Sequence, residues 1–212
     1  MKQSITKKQK EALQAVYESI KESGFPPTLA DLREKLHVAS NQSVLNFLSV
    51  LEERGYLQRE KDQARGIKIL NLGFKVLGKE KMVPLVGHSA AGSYVESFVD
   101  TFEKWVSLPS VIANEEVKKS KDDVFIIQVH GDSMVNVDID DGDMLLVKES
   151  KEYKSGDIVI ARTEDGTTVK RFIADGGKRY LKPENPAYQN IPIIPGEIQF
   201  QGKVILNLSK VK

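Results

Sequence analysis

DIVIARTEDGTTVKRFI, residues 157–173, is the stretch that decides the fold of the larger part of the chain. It contains two strand-like runs, Asp157–Arg162 and Thr167–Ile173, which are rich in β-branched and other apolar residues. Between them lies Asp165-Gly166, a dipeptide typical of turns. The stretch therefore predicts two consecutive β-strands joined by a turn.

The same pattern continues on both sides of this stretch. Short apolar runs recur from residue 82 onwards, and turn signals such as Asp141-Gly142 and Gly176-Gly177 separate them. The other predicted strands are Met82–Val86, Val95–Phe98, Val124–Val129, Met144–Val147, Arg179–Leu181 and Ile198–Leu208. Many short strands at this spacing predict a mostly-β domain over residues 83–212, with one short helix within 109–119.

Helical periodicity replaces this pattern near the N-terminus. Apolar residues recur at i, i+3, i+4 and i+7 in three segments, and Thr6-x-x-Gln9 is a capping box at the start of the first. Thr28-x-x-Asp31 resembles a second helix start, and a third helix is predicted from Ser40 to a stop at Gly55. The second and third helices predict a helix-turn-helix over residues 29–49.

Two extended runs follow the third helix and complete the first domain. Tyr56–Glu60 and Gly66–Leu70 predict a β-hairpin, which makes residues 1–70 a winged helix-turn-helix. Residues 71–82, NLGFKVLGKEKM, show no periodicity and contain two glycines, so they are interpreted as a linker. The predicted fold class is α+β, with three helices and a hairpin joined by a short linker to the mostly-β domain.

Composition excludes several classes of function. The chain has 212 residues, no cysteine and only three scattered histidines, so disulfides are excluded and a metal site is not expected. We expect no cofactor. No apolar run reaches the length of a membrane span, and the polar N-terminus does not resemble a signal peptide. These features predict a cytoplasmic protein.

Charge is distributed unevenly along the chain. The net charge is +1, but residues 1–75 hold 13 Lys and Arg against 9 Asp and Glu, while the remainder is acidic. A basic first third is typical of a DNA-binding module fused to another domain. The alternative is a three-helix packing module with a solvated polar face.

The beginning of the third helix supplies polar side chains that can read base edges. In a helix-turn-helix the recognition helix enters the major groove by its N-terminal end. Asn and Gln can bind adenine, Ser can bind either base type, and an outward Leu can pack on a thymine methyl group. The predicted base contacts are Ser40, Asn41, Gln42, Ser43, Leu45 and Asn46. The predicted phosphate contacts on the wing are Arg59, Lys61, Arg65 and Lys68.

A serine and a lysine in the β domain are a candidate catalytic pair. Ser133 lies in the turn-like run GDSM directly after the apolar run VFIIQV, and Lys170 lies on a predicted strand. A desolvated lysine has a lowered pKa and can act as the base that a serine nucleophile requires. The alternatives are an ordinary turn serine, a surface strand lysine, or a pairing of Ser133 with His130.

Several blocks of this sequence, in this order, resemble the LexA-type SOS repressors. They are GFPPTLADL, RGIKIL, VPLVGHSAAG, GDSM, IDDGDMLLV, GDIVIAR, TTVKRF and LKPENPAY. The resemblance covers residues 1–70 and 83–206. It implies that the β domain has the S24 peptidase fold and that Ser133 and Lys170 form a catalytic dyad.

The resemblance also implies a function for the whole chain. It implies cleavage of the chain's own bond between Ala91 and Gly92, with backbone amides near Asp132 and Ser133 holding the oxyanion. It implies a homodimer that binds operator DNA, represses DNA-damage genes at the nucleoid, and is cleaved under stimulation by a RecA filament on single-stranded DNA. The recognition helix SNQSVLNFL departs from the familiar family pattern, so a different operator sequence is expected.

Two other classes of function stay open from the sequence. A non-cleaving dimeric transcription factor could use the same fold with an inactive β domain. A peptidase that acts on other chains could use the same dyad chemistry, although the DNA-binding module argues against it.

Overall fold

The computed structural model describes residues 5–60, 66–86, 102–108, 124–163 and 166–211. The chain forms two compact units. The first comprises Met1–Val83 together with Lys104–Val111, and the second comprises Pro84–Glu103 together with Ile112–Lys212. Within the described residues, no helix is long and apolar enough to cross a membrane.

Three helices form the body of the first unit, as predicted. They are α1 (Lys7–Ser23), α2 (Leu29–Lys35) and α3 (Asn41–Glu53). Reciprocal capping boxes begin α1 at Thr6 and α2 at Thr28: each threonine hydroxyl accepts from the backbone N–H three residues later, and the side chain of that residue accepts from the threonine N–H. Ser40 caps α3 by a single bond, in which its hydroxyl accepts from the Ser43 N–H. The apolar faces of the three helices meet in one core with buried Leu13, Ile20, Leu32, Val44, Leu48 and Leu51.

The wing follows α3 directly. β1 (Leu57–Arg59) and β2 (Ile67–Ile69) pair antiparallel, with Leu57 opposite Ile69. The inward residues of both strands are buried in the helical core, so the hairpin is part of the unit's packing. Residues 61–65, between the two strands, lie outside the described residues.

The interpretation of residues 71–82 as a linker is wrong for its first part. Asn71–Leu77 forms a fourth helix, α4, whose Phe74 and Leu77 are buried in the core of the first unit. Phe74 meets the Tyr17 ring edge to face. Gly73 signalled flexibility in the sequence, but here it allows close approach: a Cβ at this position would lie 2.3 Å from the Tyr56 carbonyl oxygen.

The first unit also includes a strand that the sequence analysis missed. This strand, Phe102–Ser107, is followed by Leu108, which donates its backbone N–H to the Lys81 carbonyl. The Trp105 backbone N–H donates to the carbonyl of Gly24, and Trp105 packs against the helical core. The strand predicted at 95–98 and the helix predicted within 109–119 lie outside the described residues.

The second unit is built on one large sheet. With the missed strand counted as β4, its strands are β3 (Met82–Val86), β5 (Val124–Gln128), β6 (Met144–Lys148), β7 (Ile158–Thr163), β8 (Gly166–Asp175), β9 (Lys178–Lys182), β10 (Ile191–Pro192) and β11 (Gln199–Asn207). From one edge the order is β10-β9-β8-β7-β11-β6-β5-β3. Neighbouring strands are antiparallel except β3 and β5, which are parallel.

Most of the strand predictions in the second unit are confirmed to within a few residues. β3 has the predicted bounds, and β5 to β9 and β11 overlap the predicted runs. The short edge strand β10 was missed, because two residues that include a proline carry no periodic signal. β7 and β8 pair antiparallel, with Val159 opposite Lys170.

Gly73→Ala tests the packing of α4. The added methyl group would overlap the Tyr56 carbonyl and the Ile69 side chain, so we expect a loss of about 1–3 kcal/mol of unfolding free energy. Urea denaturation of the full chain measures it, with Lys75→Ala, at an exposed position of the same helix, as the control. Equal stability of Gly73→Ala and wild type would contradict this packing and restore the linker interpretation.

Candidate functional site: a serine–lysine pair and a recognition helix

Ser133 lies in a turn that the end of β5 and the start of β6 hold in place. The backbone N–H of Val129 donates to the backbone carbonyl of Asp143, and the backbone N–H of Gly142 donates to the backbone carbonyl of Val129. Gly131 has φ +85°, a conformation that glycine adopts without strain, and its N–H donates to the Asp141 carboxylate at 2.8 Å. Ser133 is half-buried, while the next residue, Met134, is buried in the core of the unit.

Lys170 reaches this turn from the middle of β8. Its side chain is on the same face of the strand as Phe172, as the alternation predicts, and the residue is only 7% exposed. Lys170 Nζ lies 2.8 Å from Ser133 Oγ. The amine also lies 2.6 Å from Thr168 Oγ1 and 3.0 Å from the Val169 carbonyl oxygen. The structure thus brings together two side chains that are 37 positions apart in sequence.

The surroundings of Lys170 favour the neutral amine. Removal from water lowers the pKa of Lys170 from 10.5 to about 8, because burial disfavours the charged ammonium form. All three hydrogen-bonding partners of Nζ are neutral oxygens, so none offsets that cost as a carboxylate would. The neutral amine is therefore a minor form at neutral pH and becomes the major form above about pH 8, and a neutral amine can accept the proton of the serine hydroxyl.

His130, the alternative base for Ser133, faces another partner. Its Nδ1 lies 3.7 Å from an Asp141 carboxylate oxygen, and both side chains are largely exposed. Lys170 is the side chain in contact with Ser133 Oγ. The geometry favours the serine–lysine pairing over the serine–histidine pairing.

A segment near residue 185 completes the surroundings of the serine, and the sequence analysis assigned it no role. The backbone N–H groups of Glu184 and Asn185 both donate to the Ser133 carbonyl oxygen, at 2.9 and 3.0 Å. Asn136 Nδ2 donates to the Glu184 carbonyl at 2.8 Å. The only sequence signal was the block LKPENPAY, which contributed to the family resemblance without indicating which residue it contacts.

Two predicted parts of this site cannot be placed in the same way. Ala91 and Gly92, the predicted cleavage site, lie outside the described residues. Asp132 and Ser133 are in the turn as predicted, and the oxyanion role of their amides remains a prediction. The Asp132 carboxylate is bonded within the unit, to Asn185 Nδ2 at 3.1 Å and to the Tyr188 hydroxyl.

The first unit presents the start of α3 as a polar surface. Asn41, Gln42 and Asn46 are exposed, and Gln42 Nε2 donates to Asn46 Oδ1 at 3.0 Å. Ser40 and Ser43 are hydrogen-bonded to each other at the helix cap, so their side chains are partly committed to capping. Leu45 is half-buried and lies off the buried stripe of the helix.

The wing positions differ from the prediction in one respect. Arg59 Nη2 lies 2.7 Å from a Glu52 carboxylate oxygen and 3.1 Å from Ser49 Oγ, so this guanidinium is already paired with α3. Lys68 is half-exposed on β2. Lys61 and Arg65 lie outside the described residues. Arg59 braces the wing against the recognition helix in addition to any phosphate contact.

Two known families match consecutive parts of the chain. The LexA DNA binding domain family matches residues 2–66, and the Peptidase S24-like family matches residues 84–205. The chain belongs to the LexA repressor family. A LexA repressor of Caldicellulosiruptor saccharolyticus is 36% identical over 205 residues, or 97% of each chain. LexA repressors of Lactobacillus delbrueckii subsp. bulgaricus and Geobacillus sp. are 35% and 33% identical, covering 93% and 95% of each chain.

Membership in the LexA family confirms the predicted fold class and the order of the domains. A DNA-binding domain precedes an S24-like domain, and the chain is a LexA-type repressor. The winged helix-turn-helix and the β domain described above correspond to these two matches.

Replacing Lys170 with methionine tests the burial of the amine. The stability that the neutral amine contributes is complete above pH 10.5, the ordinary lysine pKa, and is lost as the pH falls through about 8. The unfolding free energy of the wild type, relative to that of Lys170→Met, should therefore increase as the pH rises from about 8 to 10.5. Urea denaturation across this range measures it.

Lys178→Met, at an exposed position on β9, serves as the matched control and should show no such trend over the same interval. A difference between wild type and Lys170→Met that stays constant with pH would show that the lysine is not desolvated.

Proposed function

We propose that this protein is a DNA-binding repressor of the SOS response that inactivates itself by cutting its own chain between Ala91 and Gly92. Ser133 acts as the nucleophile and Lys170 as the general base. The observation that carries the proposal is the 2.8 Å contact between Lys170 Nζ and Ser133 Oγ in a lysine site that is almost closed to water.

The chemistry follows from the protonation state of the amine. Neutral Lys170 accepts the Ser133 hydroxyl proton as Oγ attacks the Ala91 carbonyl carbon. Backbone N–H groups at Asp132 and Ser133 stabilise the negative charge on the carbonyl oxygen. The ammonium form of Lys170 then returns the proton to the leaving Gly92 nitrogen as the peptide bond breaks. Water hydrolyses the resulting ester, and Lys170 again serves as the base.

The contacts around Lys170 support this assignment. Thr168 Oγ1 and the Val169 carbonyl hold the amine from the side of β8, so its position does not depend on the serine alone. A surface lysine would be hydrated, and its pKa would stay near the ordinary value. Small side chains at Ala91 and Gly92 allow the backbone of the cleavage site to approach Ser133 closely.

Cleavage can switch the repressor off because it separates two functions. A homodimer of the β domain would hold two recognition helices on the two halves of one operator, and linked contacts bind far more tightly than independent ones. Cutting at Ala91-Gly92 leaves each DNA-binding domain to bind alone. A RecA-type filament would accelerate cleavage by stabilising a minor conformation in which the cleavage site reaches Ser133. We place this activity in the cytoplasm, at the nucleoid.

Recognition of the operator falls to the exposed amides of α3. Gln42 and Asn46 bond each other in the free protein and can exchange that bond for base edges in the major groove. Lys68 would contribute a phosphate contact from the wing. A non-cleaving repressor of the same fold would bind DNA through the same surface. It would not require a buried lysine in contact with a serine hydroxyl, and this contact therefore favours the self-cleaving repressor.

Incubation of the purified chain at alkaline pH tests the cleavage. We expect two fragments, one ending at Ala91 and one beginning at Gly92, identified by intact mass. The rate should rise from neutral pH with a midpoint at about pH 8 and level off only well above it, because half of Lys170 is neutral where the pH equals its pKa. Ser133→Ala and Lys170→Ala should abolish the fragments and retain DNA binding.

His130→Ala is the matched control, since it removes the alternative base, and it should cleave at the wild-type rate. Fragments cut elsewhere, or a rate that is flat from neutral to alkaline pH, would contradict the lysine mechanism. Loss of cleavage in His130→Ala, with cleavage retained in Lys170→Ala, would show that His130 and not Lys170 is the general base.

Selection from a pool of random duplexes tests the DNA-binding surface. The wild type should enrich a two-part site, and Gln42→Ala should lose about 1–3 kcal/mol of binding free energy for that site. Binding of Gln42→Ala to an unrelated duplex should change little. Gln14→Ala, which removes the same group from α1, is the control. Equal losses on both duplexes would contradict a base-reading role, and no retarded duplex at low salt would contradict DNA binding.

A further inference from the structure

The Asp132 side chain, directly before the nucleophile, is bonded to a distant part of the chain. Asn185 Nδ2 donates to Asp132 Oδ2 at 3.1 Å and to the Asp132 carbonyl at 3.2 Å. The Tyr188 hydroxyl donates to Asp132 Oδ1. Both carboxylate oxygens of Asp132 are thus held by residues 184–188, which we call the clamp segment.

The clamp segment also holds the backbone of the nucleophile itself. The N–H groups of Glu184 and Asn185 donate to the Ser133 carbonyl. Contacts on Asp132 and Ser133 together fix two successive residues, so the direction of the Ser133 side chain is constrained from both sides. The remaining supports of the turn are the backbone hydrogen bonds that Gly131 and Val135 donate and the burial of Met134.

The opposite side of the clamp segment is tied to the strand that carries the base. Arg171 follows Lys170 on β8, and its Nε donates to the Glu184 carboxylate. Arg171 Nη1 donates to the Gly156 carbonyl at 2.6 Å. This ion pair lowers the pKa of Glu184, so the carboxylate stays charged at neutral and alkaline pH. The segment therefore connects the nucleophile turn with the strand of the lysine.

Tyr188 keeps about half of its side chain at the surface of the unit. It is 47% exposed, and it is among the large hydrophobic residues that remain at the surface. Its hydrogen bond to Asp132 raises the pKa of the phenol above 10, so the bond persists under the alkaline conditions that favour cleavage. An exposed tyrosine that is held by a carboxylate next to a nucleophile indicates a role at that nucleophile.

We propose that Asn185 and Tyr188 are positioning residues that act through Asp132 to hold Ser133 Oγ in line with Lys170 and the cleavage site. This inference rests on the proposed function, and it adds two residues to the serine–lysine dyad that the function requires. Its physical basis is the steep dependence of the reaction rate on the alignment of the reacting atoms: a displacement of about 1 Å can lower the rate about a hundredfold.

The experiment measures the rate of self-cleavage of the full chain from pH 7 to 10 in Asn185→Ala, Tyr188→Phe and Asp132→Ala. The plateau rate should fall about ten- to a hundredfold in Asn185→Ala, which loses two side-chain bonds to Asp132 and the bond that it accepts from the Ala187 N–H, and about tenfold in Tyr188→Phe. The midpoint of the pH profile should stay at the wild-type value, because burial sets the pKa of Lys170 and its amine keeps its contacts with Thr168 and Val169.

Two controls and one double variant sharpen the result. Asn190→Ala and Tyr180→Phe remove the same groups from neighbouring positions and should cleave like the wild type. The double variant Asp132→Ala/Tyr188→Phe should cleave no more slowly than Asp132→Ala alone, because the Tyr188–Asp132 hydrogen bond is already lost in Asp132→Ala. Thermal unfolding of each variant should show a folded chain, which separates positioning from general destabilisation.

Plateau rates at the wild-type value in both Asn185→Ala and Tyr188→Phe would overturn this inference and leave the cleavage mechanism intact. A shifted midpoint, rate losses that merely follow the melting temperature, or additive losses in the double variant would overturn it as well. Absence of cleavage in the wild type would overturn the proposed function and this inference together.

Discussion

The contact between a buried lysine amine and a serine hydroxyl is the interaction on which the rest of this structure depends. Burial makes Lys170 unstable as a cation, and this same cost makes the amine available as a base. The large sheet is what makes the burial possible. β8 is paired with β7 from Gly166 to Arg171, where Val159 lies opposite Lys170, and with β9 from Arg171 onwards, so the strand that carries the amine is held within the sheet.

Ser133, the proposed nucleophile, is held by different means from Lys170, the proposed base. Lys170 sits in the middle of a regular strand, whereas Ser133 sits in a turn, where the hydrogen-bond ladder of the sheet no longer fixes the backbone. The clamp segment supplies the missing constraints through backbone amides and through Asp132. This division suits a serine nucleophile, since a turn leaves room for an incoming peptide and the added contacts keep the hydroxyl aimed.

Each of the two units has its own core, and the candidate DNA-binding surface and the serine–lysine pair belong to different units. The first unit buries apolar faces of four helices and the wing, which leaves Gln42 and Asn46 of α3 exposed on the surface. The second unit buries strands on its sheet and keeps the serine–lysine pair at the end of β5 and the middle of β8. In the proposed function, a cut at Ala91-Gly92 would break the covalent connection between the helices that carry the DNA-binding surface and the segment that carries Ser133 and Lys170.

Local signals in the sequence determined the elements. Capping at Thr6 and Thr28, the helical stripes and the alternating runs predicted α1 to α3, the wing and most strands, because these depend on neighbours within a few residues. The family blocks marked Ser133 and Lys170. Tertiary structure alone decided that the two meet, that α4 packs through Gly73, that Arg59 pairs with Glu52, and that Asn185 and Tyr188 hold Asp132. Contacts between residues far apart in sequence leave no periodic trace, because they depend on how whole strands and helices pack.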